Sequence, residues 1–317
     1  MDNWEGIKNA LQFSDDGKLK HLIEIEGINK DLIESIFDLT ESIIDSGCDR
    51  HLKDKLFVNI FFERSTRTRL AFESTAKQLG ADVVNLENTN MAGDLKGESI
   101  KDTIMTVGAM GASGVAIRDS HTNSIYIAAH TANQFNMPVI NGGAGCVSHP
   151  TQALTDAYTL RKEIGDLTGA NIAIIGDVLH SRVARSDAQI FKTLGANVRL
   201  IGPSNFCPSY LEDEMKVPIF TNMTEGLIDV DAAVLLRIQN ERLPYNFNLL
   251  NKNYFNDYGM TIKRLEQQKS SFFILHPGPI NRGMEIDDEA AECKQSLILK
   301  QVTNGMAIRK AVLLMLC

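Results

Sequence analysis

Leu56-Phe57-Val58-Asn59-Ile60-Phe61-Phe62-Glu63-Arg64-Ser65-Thr66-Arg67-Thr68-Arg69-Leu70 is the stretch from which the fold is read. It opens as an apolar, β-rich run, Leu56–Phe62, and ends where a helical pattern begins, over Arg69–Leu79. A strand feeding straight into a helix is half of a βα unit. The junction gathers hydroxyls and cations. Such groups, with the unpaired N–H groups of a first helical turn, make an anion site, and an arginine adds a two-pronged grip. A phosphate or phosphonate-like group is the natural guest. Ser and Thr also cap helices in general, so one hydroxyl alone says little. The full run Ser65-Thr66-Arg67-Thr68-Arg69 says more.

On either side the chain repeats this alternation. Further β-rich runs occur at Asp82–Leu86, Gly114–Arg118, Pro138–Asn141, Asn171–Gly176, Asn197–Gly202, Pro218–Thr221, Ala232–Ile238 and Phe272–Leu275. Helical patterns fall between most of them, at Glu98–Met110, Ile125–Gln134, Thr151–Ile164 and Arg182–Leu194. The fold class expected is therefore α/β, with doubly wound parallel sheets covered on both faces. In such sheets ligands sit beyond the carboxyl ends of the strands.

Towards the N-terminus, Leu22, Ile23, Ile25, Ile28, Leu32, Ile33, Ile36, Phe37, Leu39 and Ile43 are spaced mostly as in a helix, with Asn29 as the N-cap of a segment starting at Lys30. Residues 1 to about 20 are polar and weakly patterned, and read as an extension without assigned structure. At the other end, Gln301–Leu316 reads as an apolar helix.

The chain has 317 residues, which suggests two domains at ~100–200 residues each. The expected boundary lies near Pro150 to Gly165. The net charge of -8 argues against a nucleic-acid binder or a polybasic membrane-surface protein. It leaves room for a local cationic pocket that takes small anions. No apolar run approaches the ~20 residues of a membrane span, and residues 1–6 lack the basic and apolar regions of a secretory signal, so a cytoplasmic location is expected. Cys48, Cys146, Cys207, Cys293 and Cys317 form no CxxC pair, so free thiols are expected rather than disulfides or a structural zinc.

Four more stretches follow β-rich runs and carry chemistry. Asn141-Gly142-Gly143-Ala144-Gly145-Cys146-Val147-Ser148-His149-Pro150-Thr151-Gln152 is a glycine-rich turn that leads into a helix. Its His149 suits a developing oxyanion, and Gln152 can read an amide. Gly176-Asp177-Val178-Leu179-His180-Ser181-Arg182 stands where a dinucleotide-binding protein carries GxGxxG. The three glycines are missing and an arginine enters the helix instead, which suits a carboxylate and speaks against a nicotinamide oxidoreductase. Arg237 and Gln239 share one face at the end of an apolar run. His276-Pro277-Gly278-Pro279 is a stiff loop whose two prolines withhold N–H donors.

Taken in order, the five stretches resemble the catalytic chains of aspartate transcarbamoylases, from about Lys20 to the C-terminus. The resemblance implies two doubly wound parallel-sheet domains of the transcarbamoylase type. Residues 1–150 would bind carbamoyl phosphate and 151–299 aspartate, with a C-terminal helix, 300–317, returning to the first domain. It implies transfer of a carbamoyl group to the α-amine of L-aspartate, giving N-carbamoyl-L-aspartate and phosphate, a step towards pyrimidines. No metal and no cofactor is implied. Residue by residue, Ser65, Thr66, Arg67 and Thr68 resemble the phosphate-binding run. Arg118 resembles the arginine that touches both the phosphate and the carbamoyl oxygen. His149 resembles the histidine on that oxygen, and Gln152 the reader of the carbamoyl nitrogen. Arg182 and Arg237, with Gln239, resemble the holders of the aspartate carboxylates. Pro277 and Gly278 fall where backbone carbonyls meet the carbamoyl and amino groups. Lys96 resembles the lysine lent by a neighbouring subunit of a homotrimer with shared sites. Arg67, Thr68, Arg118 and His149 are the implied catalytic set. Some relatives also bind a regulatory or dihydroorotase-like partner chain.

One departure stands out: Ala92 and Gly93 occupy the positions where the family has a serine before that lysine. A non-catalytic anion-binding protein on the same fold rests on that departure alone. Ornithine transcarbamoylases share the Ser-Thr-Arg-Thr-Arg logic, so the second substrate is argued from charge. Ornithine's cationic side chain calls for an acidic partner, whereas Arg237 and Gln239 suit a dicarboxylate.

Overall fold

A computed structural model describes residues 4–63, 65–87, 98–238, 251–269 and 271–317. Among these residues the chain divides into two compact units, Met1–Thr151 with Gly305–Cys317, and Gln152–Asn304. The division falls inside two helices, Pro150–Ile164 and Ile298–Leu316.

In the first unit four strands, β1 (Leu56–Phe61), β2 (Asp82–Glu87), β3 (Ala112–Asp119) and β4 (Val139–Ala144), pair in the order β2-β1-β3-β4. All three pairings are parallel, with Phe61 opposite both Glu87 and Arg118. Parallel neighbours need a crossover, supplied here by the helices Thr66–Gln78, Ile100–Ala109 and Ser124–Ala132. Burial on both faces explains why β1, β3 and β4 read as continuous apolar runs, whereas the edge strand β2 alternates. Val58, Ile60, Val115, Ile117 and Val139 pack with Ile104, Val107, Ile125 and Ala129 in one core. Phe57 stacks on Phe72 with ring centroids 6.4 Å apart, and the Arg309 guanidinium lies 5.5 Å from the Phe72 ring. Arg309 belongs to the C-terminal helix, so the end of that helix is part of the first unit's packing.

Two readings of the N-terminal region change. Within residues 1–20, an extension of uncertain order by sequence, Trp4–Gln12 is helical. Its last residue, Gln12, is buried, accepts the N–H groups of Ile23 and Glu24 at 2.9 Å each, and donates to Glu26 O at 2.9 Å. The segment Leu22–Ile28 is not helical. Leu22 bridges Ile140 in a parallel pairing, and the helix begins at Lys30, where Asn29 Oδ1 accepts Leu32 N–H at 2.9 Å. Leu22, Ile23, Ile25 and Ile28 are all buried. A single bridge at Leu22 followed by a turn that Ile28 N–H closes onto Ile25 O buries apolar residues at spacings that mimic a helix face, so periodicity alone cannot separate the two.

The second unit holds β5 (Asn171–Ile175), β6 (Asn197–Ile201), β7 (Ile219–Phe220), β8 (Ala232–Leu235) and β9 (Phe273–Leu275), all parallel, in the order β7-β6-β5-β8-β9. Ala173, Ile175, Ala233, Leu235 and Ile274 pack with Met260, Leu265 and Phe272. Strand β8 ends three residues earlier than its apolar run, so Arg237 stands beyond the strand rather than on its face. The two sheets, of four and five parallel strands, bear out the α/β fold class.

Candidate active site

Each sheet reverses its strand order once. The reversal lies between β1 and β3 in the first unit and between β5 and β8 in the second. At such a point the connections leaving the two strands run to opposite faces, and a crevice opens at their carboxyl ends. The residues singled out from the sequence follow those strands.

In the first unit β1 runs into Ser65, the N-cap residue of the Thr66–Gln78 helix. The Ser65 hydroxyl makes no capping bond to that helix, Thr66 and Arg67 are exposed, and Thr68 is buried. Hydroxyls and first-turn N–H groups therefore sit together at a helix start, with the positive end of the helix dipole behind them. Arg69, one turn on, is ion-paired with Glu87 and is occupied structurally.

Arg118 lies at the carboxyl end of β3, opposite Phe61 of β1. Its Nη1 donates to Gly142 O at 3.1 Å and its Nε lies 3.3 Å from Glu63 Oε2. The guanidinium is thus held between the loop that leaves β1 and the backbone of β4. The turn that follows β4 is shaped by backbone approach. Gly145 has φ +51°, and a Cβ there would lie 2.1 Å from Thr122 Oγ1, so no larger residue fits. Within β4, Asn141 accepts Gly143 N–H at 2.8 Å and donates to Ile23 O at 2.8 Å. His149, buried, ends this loop just before the Pro150–Ile164 helix. Beside Arg118, burial would raise the Asp119 carboxyl, but the Ser124 hydroxyl and the His121 N–H and ring hold it below the usual range.

In the second unit three neighbouring strands deliver the rest. Beyond β5, Ser181 Oγ accepts Ala184 N–H at 3.1 Å and starts the Arg182–Thr193 helix, whose first residue, Arg182, is buried. The fully buried Asp177 accepts His180 N–H at 3.2 Å and meets His180 Nδ1 at 2.8 Å. Beyond β8 stands Arg237, half-buried, followed by Ile238, whose carbonyl accepts Asn281 Nδ2 at 3.1 Å. Beyond β9, His276 Nδ1 accepts Gly278 N–H at 2.8 Å, so its Nε2 carries the proton facing Glu285 Oε1 at 3.1 Å. That bond turns the Pro277–Gly278 segment, where Gly278 has φ +68°. Gln152 Nε2 donates to Asp156 Oδ1 at 2.8 Å.

Lys96, Gln239 and the positions of Ala92 and Gly93 lie outside the described residues. Among the described residues no group of three or more His, Cys, Asp or Glu could hold a metal ion, and no helix is long and apolar enough to cross a membrane. The five cysteines are all free thiols. Sequence reasoning missed Glu63, Asp156, Glu285 and Gln301 as groups that orient the site. Only Asp156 carried a signal, four residues after Gln152 on one helix face.

Residues 20–162 match the family model of the aspartate/ornithine carbamoyltransferase carbamoyl-P binding domain, and residues 168–316 that of the Asp/Orn binding domain. Among solved structures, the chain is similar to the catalytic subunit of M. jannaschii aspartate transcarbamoylase, at 30% identity and TM-score 0.79, over 93% of this chain and 97% of that one. It is also similar to the ornithine carbamoyltransferase of Thermus thermophilus, at 24% identity and TM-score 0.81, over 93% and 98% of the two chains. A third similar structure is Trypanosoma cruzi aspartate transcarbamoylase in complex with N-(phosphonacetyl)-L-aspartic acid, at 24% identity and TM-score 0.83, over 96% and 98%.

Proposed function

The chain belongs to the aspartate/ornithine carbamoyltransferase family, and from there we propose that it is an aspartate carbamoyltransferase, passing the carbamoyl group of carbamoyl phosphate to the α-amine of L-aspartate. The observation that carries the choice of amino acid is the pair of arginines, Arg182 and Arg237, beyond the neighbouring strands β5 and β8. A dicarboxylate needs two cations. The cationic side chain of ornithine would need an anion there. The acidic side chain of that stretch, Asp177, is engaged by His180.

In this reading the first unit supplies the phosphate ligands Ser65, Thr66, Arg67 and Thr68, together with Arg118. The neutral amine of aspartate attacks the carbamoyl carbon, a C–N bond forms, and the C–O bond to phosphate breaks with its electron pair leaving on phosphate. The amine proton passes to the departing phosphate. Charge gathers first on the carbonyl oxygen, where Thr68, Arg118 and His149 donate, and then on phosphate, where Ser65, Thr66, Arg67 and Lys96 donate. A preorganised donor of this kind is worth ~3 kcal/mol in a water-excluded site. The Glu63 and Gly142 contacts on Arg118 matter here, because a guanidinium already held in place loses no orientational freedom when charge develops. Gln152, with the carbonyls of Pro277 and Gly278, reads the carbamoyl amide, and Arg182, Arg237 and Gln239 hold aspartate. The proposal includes a homotrimer in the cytoplasm, each site completed by Lys96 of a neighbouring chain.

A carbamoylation assay tests it, with carbamoyl phosphate and either L-aspartate or L-ornithine. Turnover with aspartate is expected. Turnover with ornithine alone would overturn the substrate choice. Phosphonate binding without turnover of either amine would favour a non-catalytic binder.

A further inference from the structure

One buried chain of hydrogen bonds in the second unit has a polarity that can be read from its fixed end. The backbone N–H of His276 can only donate, and it donates to Gln301 Oε1 at 2.9 Å. The Gln301 amide must then turn its Nε2 the other way, and this nitrogen meets Asp156 Oδ1 at 2.7 Å. Asp156 Oδ1 is therefore an acceptor. Gln152 reaches the same oxygen with its own Nε2, at 2.8 Å. A primary amide whose nitrogen is committed in this way presents its oxygen to whatever lies beyond. His276, Gln301 and Asp156 are all buried, Asp156 completely, so water does not compete for these bonds.

Given the role proposed above for Gln152, we infer that Asp156, held by Gln301, is the positioning residue that makes Gln152 an acceptor and so selects a substrate N–H. The same chain ties Gln152 to the His276–Gly278 loop, the other proposed reader of the carbamoyl amide. A carbamoyl group carries an NH2. Flipped by 180°, the Gln152 amide would face that NH2 with its own donors. Held as it is, it accepts from a carbamoyl nitrogen and gains nothing from an acyl group that lacks one. The polarity is therefore a specificity device for carbamoyl over other acyl phosphates.

A second buried carboxyl keeps Asp156 an acceptor. Asp187, on the Arg182–Thr193 helix, is completely buried and couples electrostatically to Asp156. Burial first, and then the charge of Asp156, push the Asp187 carboxyl well above the usual carboxylate range. Burial therefore favours the neutral form of Asp187 beside a charged Asp156, so that the pair does not bury two like charges. Were the proton on Asp156 Oδ1 instead, that oxygen could no longer accept from both amides.

The test is isothermal titration of the full chain with two phosphonates: phosphonoacetamide, which carries the amide, and methylphosphonate, which does not. The native chain should prefer phosphonoacetamide. Asp156→Ala should weaken phosphonoacetamide roughly tenfold, about the worth of one oriented hydrogen bond in a buried site, and leave methylphosphonate within about twofold. Asp156→Asn should restore the preference, because its side-chain oxygen still accepts from both amides. Gln301→Leu should lose the preference in the same direction, and carries the comparison if Asp156→Ala does not fold. Equal losses for both phosphonates, an Asn variant as poor as the Ala variant, or no loss at all would overturn the inference. A native chain without the preference would overturn the role of Gln152 and this inference with it, whereas the turnover assay judges the activity on its own.

Discussion

Replacing His21 by Asn removes one titration and little else, which makes it a sharp probe of how the first unit is held together. His21 is 1% exposed. Its Nδ1 accepts Val139 N–H at 2.9 Å, which places the ring proton on Nε2, facing Asn133 Oδ1 at 3.0 Å. Burial holds its pKa down at about 4, against 6.5 for an exposed imidazole, and the bond to Asn133 only partly offsets this. Protonating Nδ1 would break the bond to Val139 and leave a charge without water. Between pH 6.5 and about 4 the unfolded chain binds a proton that the folded chain refuses, so stability falls as pH falls through that window and is unaffected above it. At ~1.4 kcal/mol for each tenfold rise in proton activity, the loss is about 3 kcal/mol. Asn at position 21 keeps an acceptor for Val139 and does not titrate. It loses the bond to Asn133, at about 1 kcal/mol independent of pH. The assay is hydrogen exchange of the Val139 amide together with urea unfolding, at steps from pH 7.5 to 4.5, for both proteins. Carboxylates that titrate in the same window act on both and cancel in the difference. The native protein should start ahead and lose its lead as the pH falls. Parallel curves would refute the buried, neutral His21.

Two further outcomes follow. If Lys96 completes a neighbour's site, mixing Lys96→Ala chains with Arg67→Ala chains should regain part of the activity that each has lost, because a mixed trimer contains one site with both residues native; no recovery despite demonstrated subunit exchange would contradict the shared site. Among thiols, Cys146 is exposed while Cys207 is buried with its pKa pushed up to about 12 by that burial, so a disulfide reagent at pH 8 should label Cys146 at least tenfold faster; peptide mapping that finds Cys207 first would refute the packing around it.

The strands and the main helices were legible because buried parallel strands impose continuous apolar runs and crossover helices impose a stripe, and both leave their mark within a few residues. Where neighbours far along the chain decide a residue's state, nothing local reports it. Leu22–Ile28 carries a helix-like spacing, yet Leu22 bridges β4, more than a hundred residues on, and a turn follows it. Gln12 looks like one polar residue among many, and its meaning appears only when Ile23 and Glu24 turn their N–H groups onto it. The cations of the candidate site were visible as residue types. Their occupation was not. Arg69 looks on paper like any other cation of the run, and only the fold shows that it is paired with Glu87.

The same distinction bears on how an acidic chain presents itself to anions. A net charge of -8 opposes binding of phosphate or a dicarboxylate on average. What matters at short range is which basic groups are already answered, and by what. Glu63 lies beside Arg118, and at 3.3 Å it offsets part of that charge. A site built for strong ground-state binding would omit that carboxylate. In the reaction we propose, its contribution is to keep the donor aimed where charge develops. In that proposed reaction, holding the transition state more tightly than the substrate, rather than affinity itself, is what lowers the barrier.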